Sequence, residues 1–290
     1  MTIAIIANPE KYAVLDPLQT LLKHCKRQQI KVIISKELNK FINSTDKQYV
    51  AVSGTEKSAI DQADIVIAVG GDGTMLYTAR IVNHSNKPIL GINCGRLGFM
   101  ANIPQKSIGE AMEALANNDY IIDERFMLQG KTSTGDVYFA LNEMLFTKKD
   151  TASLITLTAE YNGKFINQYW CDGLIVSTPT GSTAYNLSAG GPIVIPDTPV
   201  MILTPISPHT LTTRPLVLPA NQTLTLKVSD DPRHILFSYD GHILNLKEAI
   251  SVDIRQADFT IQLIQLPEYD YFKTLRTKLM WGLDHRQKPE

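Results

Sequence analysis

A chain of 290 residues that is 44% hydrophobic and 20% charged has the composition of a soluble globular protein and enough length for two cores. Its formal net charge of -1 supplies no global field to recruit nucleic acid or an anionic membrane, and no apolar run approaches the ~20 residues that cross a bilayer. The cysteines Cys25, Cys94 and Cys171 are widely spaced and form no C-x-x-C pair, which points to a reducing cytoplasm and away from a zinc site.

The opening Met1-Thr2-Ile3-Ala4-Ile5-Ile6-Ala7 has no basic lead and meets Asn8-Pro9 too soon for the apolar region of a signal peptide, so it reads as a first strand. Strands at Ile3 to Ala7, Val32 to Ser35, Ile65 to Val69 and Ile89 to Ile92 then alternate with helical stretches at Leu15 to Lys26, Thr55 to Ala63 and Thr74 to Val82. Apolar strands separated by helices predict a parallel sheet wound on both faces, in which ligands bind beyond the carboxyl ends of the strands.

One such end carries Gly70-Gly71-Asp72-Gly73-Thr74. The glycines let backbone N–H groups approach a ligand that a Cβ would exclude, and Met75, Leu76 and Ala79 have helical spacing, so a helix N-terminus with its unpaired N–H groups faces the same crevice. A carboxylate there repels phosphate unless it has a task; the plain alternative is a tight turn with an N-cap aspartate. The loop is no P-loop, and Leu76 breaks the G-x-G-x-x-G pattern begun by Gly71 and Gly73. A second glycine loop, Asn93-Cys94-Gly95-Arg96-Leu97-Gly98-Phe99, follows the next strand.

After a helix at Ile108 to Leu115 the period becomes two. Strands are predicted at Met127 to Thr132, Val137 to Phe146, Leu154 to Tyr161, Lys164 to Trp170, Leu174 to Ser177, Ile193 to Ile195, Met201 to Ile206, Leu216 to Leu218, Leu224 to Val228, Ile235 to Tyr239, Ile243 to Leu246, Ser251 to Arg255 and Phe259 to Gln265. Hairpin turns are expected at Ser133-Thr134-Gly135-Asp136 and Asn162-Gly163. So many short strands point to an antiparallel sandwich. A last helix, Tyr271 to Trp281, carries Phe272, Leu275 and Leu279 on one face and is expected to pack back on the α/β half. The expected organisation is an α/β domain over residues 1–105, a β-rich domain over 106–266, to which the family resemblance described below assigns dinucleotide binding and oligomerisation, and the returning helix over 267–290.

Polar groups interrupt this apolar pattern at several places. Asn142-Glu143 lies within the Val137 to Phe146 run, where adjacent residues point to opposite faces, so one polar group faces a core or a crevice unless the strand is a solvated edge. The stretch from Trp170 to Gly191, which includes Asp172-Gly173-Leu174-Ile175-Val176-Ser177-Thr178-Pro179-Thr180-Gly181-Ser182-Thr183-Ala184-Tyr185, is rich in hydroxyls and glycines and suits a loop around a polar ligand, or a surface turn that opens a helix at Thr183. A hairpin turn accounts for Asp240-Gly241, and a structural or exposed histidine for His242.

These segments, in this order and with the closing Phe272-Lys273-Thr274-Leu275-Arg276, resemble the bacterial NAD kinase family along nearly the whole chain. The glycine–aspartate turn is shared with diacylglycerol and sphingosine kinases, whereas the Asn-Glu pair with the long Ser/Thr-Gly block is more discriminating. The resemblance implies transfer of the terminal phosphoryl group of ATP, with Mg²⁺ carried by the nucleotide and no protein-held metal, to the 2′-hydroxyl of the adenosine ribose of NAD. It implies Asp72 as general base, a phosphate loop of Gly70, Gly71, Gly73 and Thr74, and Asn142 with Glu143 on the ribose of the nicotinamide side. Phe99 would pack on the adenine side, while Asp172, Thr183, Ala184, Tyr185, Asn186, Leu187 and Ser188 would surround the dinucleotide, some from a neighbouring subunit of a homodimer or homotetramer. Trp170 stands where many relatives carry a basic residue, and His242 occupies a variable position near the ligand. A lipid kinase of the diacylglycerol type and a non-enzymatic NAD-sensing module are the competing readings; a membrane or nucleic-acid partner is not expected.

Overall fold

The computed structural model describes residues 1–95, 98–149, 154–229, 231, 234–245 and 251–280. Arg96 and Leu97 of the second glycine loop, Leu246 at one expected strand end and Trp281 at the expected helix end lie outside the described residues. The chain forms two compact units, one from Met1–Glu124 with the chain from Ile261 onward, the other from Arg125–Thr260.

The first unit contains strands β1 (Thr2–Ala7), β2 (Lys31–Ser35), β3 (Val50–Ser53), β4 (Ile65–Gly70), β5 (Ile89–Asn93) and β6 (Ile103–Pro104), with helices α1 (Leu15–Arg27), α2 (Lys36–Asn39), α3 (Ser44–Lys47), α4 (Glu56–Asp61), α5 (Asp72–Val82) and α6 (Ile108–Asn117). The first five strands pair in parallel in the order β3-β2-β1-β4-β5. Every residue of β4 is buried. Ile3, Ile5, Ile65 and Ile67 share a core with Leu18 and Leu21 of α1 and Met112 and Leu115 of α6. On the other face Ile6, Val66 and Ala68 are buried, and α4 and α5 pack against β1 and β4 respectively. This two-sided cover is why the strands read as continuous apolar runs. β3 was not legible that way, because Ala51 and Val52 are exposed on an edge strand.

The second unit holds most of β7 (Ile121–Thr132), then β8 (Val137–Ala140), β9 (Glu143–Lys148), β10 (Ile155–Tyr161), β11 (Lys164–Cys171), β12 (Gly173–Ser177), α7 (Tyr185–Ser188), β13 (Val200–Ile206), β14 (Leu216–Pro219), β15 (Leu224–Val228), β16 (Ile235–Tyr239), β17 (His242–Asn245) and the first part of β18 (Ser251–Gln265). One antiparallel sheet runs β14-β13-β12-β9-β16-β17, and a second contains β11-β10-β15 with β18. Phe146, Phe237, Leu174 and Leu203 from the first meet Leu157, Leu226 and Ile254 from the second in one core, the expected sandwich.

Several sequence expectations are corrected. The Val137 to Phe146 run is not one strand: β8 pairs with β7, whereas β9 pairs with β12 and β16 in the other sheet. The break falls at Leu141-Asn142, where a carboxylate from a distant turn takes the main-chain N–H groups, as described below. Ile193 to Ile195 forms no strand, because the Ser182 hydroxyl satisfies the main chain instead, accepting from Val194 N at 3.0 Å and donating to Val194 O at 3.1 Å. The expected strands Ser251 to Arg255 and Phe259 to Gln265 are the single β18, whose buried positions change phase between Ile254 and Ala257, so that the period-two pattern is interrupted where the strand is not.

The C-terminal part of β18 returns to the first unit, where Leu263 pairs in parallel with Ile89 of β5. Helix α8 (Tyr271–Leu279) follows in that unit, capped by Asp270, whose Oδ1 accepts from Phe272 N at 2.8 Å. Its buried residues are Thr274 and Leu275, while Phe272 is exposed, so the inward face is rotated from the one expected.

Candidate active site

In the first unit the strand order reverses between β1 and β4, the place where open parallel sheets bind ligands. A cavity of about 440 Å³ opens there, lined by Ile6, Ala7, Asn8, Pro9, Lys11, Glu56, Gly73, Thr74 and Tyr77. Helix α5 starts at its wall. Gly71 is the N-cap with no side-chain capping bond, and its carbonyl accepts from Thr74 N and Met75 N, so the N–H groups of Asp72 and Gly73 have no partner within the helix. A Cβ at Gly71 or Gly73 would meet nothing within 4 Å, which leaves their backbone open to an approaching ligand. A second cavity of about 450 Å³, lined in part by Cys25, Lys26, Lys31 and Tyr49, lies at the opposite, N-terminal ends of β2 and β3, away from the expected ligand side.

The Asp72 side chain turns toward the second glycine loop. Its Oδ2 accepts from Phe99 N at 2.9 Å, and its Oδ1 accepts from Met100 N at 3.0 Å and Ala101 N at 3.1 Å. Asn93 supports the same loop by donating from Nδ2 to Ala101 O and accepting at Oδ1 from Gly95 N. A carboxylate offers about four acceptor positions, so three amides leave room for one more donor. Gly73 and Thr74 of the glycine turn line the cavity, and the Asp72 carboxylate joins that turn to Phe99 of the second glycine loop. Phe99 is half-buried, and Lys278 Nζ sits 5.4 Å from its ring centroid.

In the second unit, Asp240 occupies the β16–β17 turn with φ 44°, followed by Gly241 at φ 81°, the left-handed pair that a type I′ hairpin needs. Its carboxylate does more than close the turn: Oδ2 accepts from Leu141 N at 2.7 Å, and Oδ1 from Asn142 N at 2.8 Å and Glu143 N at 3.2 Å. The Asp240 N–H donates in return to Glu143 O at 3.1 Å.

The carbonyls of the same segment are taken by the hydroxyl-rich loop. Thr178 Oγ1 donates to Leu141 O at 2.6 Å, and Thr178 N to Asn142 O at 2.8 Å. Gly181 lies against Asn142 so closely that a Cβ would be 2.2 Å from its carbonyl oxygen. Asn142 is buried; Glu143 is half-buried, with its Oε2 buried and without a hydrogen-bond partner. Burial, and then the charge of Asp240, push the Glu143 carboxyl up to about 7.

The loop beyond Thr178 forms a turn of 3-10 helix, Thr180–Thr183, and then α7. Buried Arg125 donates from Nη1 to Thr180 Oγ1 at 3.3 Å. Tyr185 and Ser188 are exposed, and Thr183, Ala184 and Leu187 partly so. Asn186 is fully buried: its Nδ2 donates to Ser182 O and Pro192 O, and its Oδ1 accepts from Thr204 Oγ1 at 2.6 Å. That side chain ties α7 to β13. His242 is exposed and its ring lies 5.6 Å from that of Tyr239.

Two expected site residues stand elsewhere in this unit. Asp172 precedes β12 and pairs with Lys148 Nζ at 2.5 Å, whereas Ser177 at the far end of β12 lies opposite Glu143. At ~3.3 Å per residue the strand separates Asp172 from Thr178 by about 20 Å. Trp170, half exposed, lies against His209 with ring centroids 4.2 Å apart and the planes tilted by 43°, on the Asp172 side. In the sequence Asp240 reads only as a turn residue, Thr178 and Gly98 stand within noted segments without a role of their own, and Arg125 carries no signal. The Asp240-Gly241 dipeptide was the available signal, but its turn chemistry is sufficient to explain it.

A glycine turn at the switch point of a parallel sheet, a helix N-terminus and a carboxylate held beside them define a nucleotide-binding α/β protein. Family models for the ATP-NAD kinase N-terminal domain and the ATP-NAD kinase C-terminal domain match residues 3–120 and 141–266. The chain belongs to the ATP-NAD kinase family. It is 36% identical to the NAD kinase of Cytophaga hutchinsonii over 99% of this chain and 100% of that protein. Its fold is also that of yeast NADH kinase solved with NADH, with a TM-score of 0.90 at 24% identity over 100% of this chain and 90% of that one. An NAD kinase from Archaeoglobus fulgidus solved with ATP gives a TM-score of 0.76 at 23% identity, over 97% and 99% of the two chains.

Proposed function

We propose that this chain transfers the terminal phosphoryl group of ATP to the 2′-hydroxyl of the adenosine ribose of NAD, producing NADP, with Asp72 as general base. Family membership across both halves of the chain supports the reaction. The observation that carries the base assignment is the Asp72 carboxylate, held at the start of α5 by three amides with an acceptor position left over. A ribose hydroxyl is a poor nucleophile until its proton has an acceptor, and general-base help is typically worth ~10²–10⁴ in rate. The open amides of Asp72 and Gly73, with Lys11 across the switch-point cavity, suit the phosphates of ATP, which brings its divalent ion as part of the substrate.

In this reading Asn142 and Glu143 hold the ribose on the nicotinamide side, and the buried, unpartnered Oε2 of Glu143 is the acceptor that a hydroxyl would meet. Phe99 packs on the adenine side. Thr183, Ala184, Tyr185, Leu187, Ser188 and His242 line the dinucleotide, with Asn186 acting through the placement of α7. Asp172 and Trp170 serve a neighbouring subunit of a homodimer or homotetramer, in keeping with their position at the other end of β12. The free Cys25, Cys94 and Cys171 fit a reducing cytoplasm.

The lipid-kinase and NAD-sensing readings gain nothing from the family assignment. No helix among the described residues is long and apolar enough to cross a membrane. The deciding experiment supplies ATP, Mg²⁺ and NAD and measures NADP with an NADP-specific dehydrogenase. NADP formation is expected; its absence, with a diacylglycerol phosphorylated instead, would overturn the reading.

A further inference from the structure

We propose that Asp240 is a positioning residue for the dinucleotide: its carboxylate, reaching from the β16–β17 turn to the main-chain N–H groups of Leu141, Asn142 and Glu143, breaks the strand there and fixes how the Asn142 and Glu143 side chains are presented. This inference rests on the reading of Asn142 and Glu143 as NAD-binding residues.

The turn alone does not need this carboxylate. A type I′ hairpin accepts asparagine before glycine at least as well as aspartate, because the requirement is a left-handed φ and not a charge. The chain nevertheless puts an anion here, close enough to Glu143 to disfavour ionisation of that half-buried carboxyl. Such a like-charge neighbour is tolerated when it does something else, and the three amide bonds are that something. Continued pairing of β8 into β9 would have used these N–H groups in a ladder. Instead they converge on one side chain while Thr178 takes the carbonyls of Leu141 and Asn142, so each main-chain polar group from Leu141 N to Asn142 O is bonded outside a ladder. The segment is thereby clamped from two sides. A clamp fixing both neighbours of one peptide group sets the directions of their Cα–Cβ bonds, and hence of the groups presented to the ribose.

The test uses the full-length chain at pH 8.5, above the titration of Glu143, so that Glu143 carries the same charge in every chain that keeps it. Asp240→Asn keeps the turn chemistry and one acceptor oxygen; Asp240→Ala removes both oxygens. Asn142→Ala and Glu143→Gln run beside them. The KM for NAD is expected to rise about tenfold in Asp240→Asn and further in Asp240→Ala, the scale of one or more lost hydrogen bonds, while the KM for ATP stays within about twofold. A KM for NAD that rises no more than the KM for ATP overturns the inference, whatever happens to kcat. Should Asp240→Ala not fold, Asp240→Asn carries the same decision. If Asn142→Ala and Glu143→Gln leave the KM for NAD unchanged, the underlying reading of that pair falls instead, which separates the two failures.

Discussion

Gly98 lies so close to Asp72 that a Cβ at position 98 would sit 2.2 Å from Asp72 Oδ1 and 2.9 Å from Ala101 O. The carboxylate thus has two tasks in the proposed mechanism: it accepts the ribose proton, and it pins the Phe99–Ala101 main chain. Asp72→Asn disturbs both, since its amide nitrogen would face N–H groups. It is expected to lower kcat by ~10²–10⁴ while NAD still binds. Gly98→Ala keeps the carboxylate and strains only the contact, so a loss of about tenfold is expected, the scale of a ~1 kcal/mol distortion. Single-turnover kinetics of the two variants decide the matter. Equal losses would assign the whole effect to the clamp and remove the base.

Glu143 ties pH to stability as well as to binding. Its carboxyl titrates at about 7 in the fold against an ordinary 4.5, so the folded chain holds a proton that the unfolded chain releases between those values. The contribution is fully present below pH 4.5 and is lost as pH rises through 7, an order-of-magnitude change of about 3 kcal/mol. Glu143→Gln removes the titration. Urea unfolding is expected to show the wild type losing stability between pH 5 and 8 relative to this variant, which is more stable at pH 8 yet weaker for NAD. Parallel pH dependence in both chains would contradict the burial argument.

The parts of this fold legible in the sequence are those where one pattern had one cause. β1, β2, β4 and β5 are covered on both faces and announce themselves as apolar runs. Asn162 and Gly163, both at positive φ, were readable as a hairpin from their chemistry alone. What was hidden depends on bonds between residues far apart in the chain. The break between β8 and β9 is made by Asp240, and the missing strand at Ile193 to Ile195 by the Ser182 hydroxyl. Likewise Asn186 looked like a ligand contact, but its amide is satisfied within the fold by residues that no local pattern connects to it.

Asn186→Ala tests that placement. Removing the amide leaves the buried Thr204 hydroxyl without its 2.6 Å partner and two carbonyls without a donor. A loss of ~2–4 kcal/mol is expected from these orphaned groups and the cavity. A thermal melt should show it as a lower Tm, and saturating NAD should recover part of the loss. A variant with wild-type Tm and a selectively raised KM for NAD would instead make Asn186 a direct ligand contact.

Lys11 separates donor from acceptor. It lines the switch-point cavity with Gly73 and Thr74, where the nucleotide phosphates are proposed to lie. Lys11→Ala is expected to raise the KM for ATP about tenfold, the range for a lost charge-assisted hydrogen bond, and to leave the KM for NAD within about twofold. The reverse pattern in initial-rate kinetics would move the triphosphate out of this cavity.

Asp172 and Glu143 flank opposite ends of the β9–β12 pairing, since Gly173 lies opposite Thr147 and Ser177 opposite Glu143. If Asp172 serves the dinucleotide of a neighbouring subunit, one chain can lack Asp72 and its neighbour Asp172 and still assemble one intact site. Chains carrying Asp72→Asn and chains carrying Asp172→Asn are each expected to be nearly inactive. Mixed under conditions that allow subunit exchange, they should regain about a quarter of wild-type activity per chain, because random pairing makes half the dimers mixed and each mixed dimer holds one complete site. Recovery should also vanish on dilution below the dissociation constant. A mixture no more active than its components, with exchange verified by mass spectrometry, would return Asp172 to a structural pairing with Lys148.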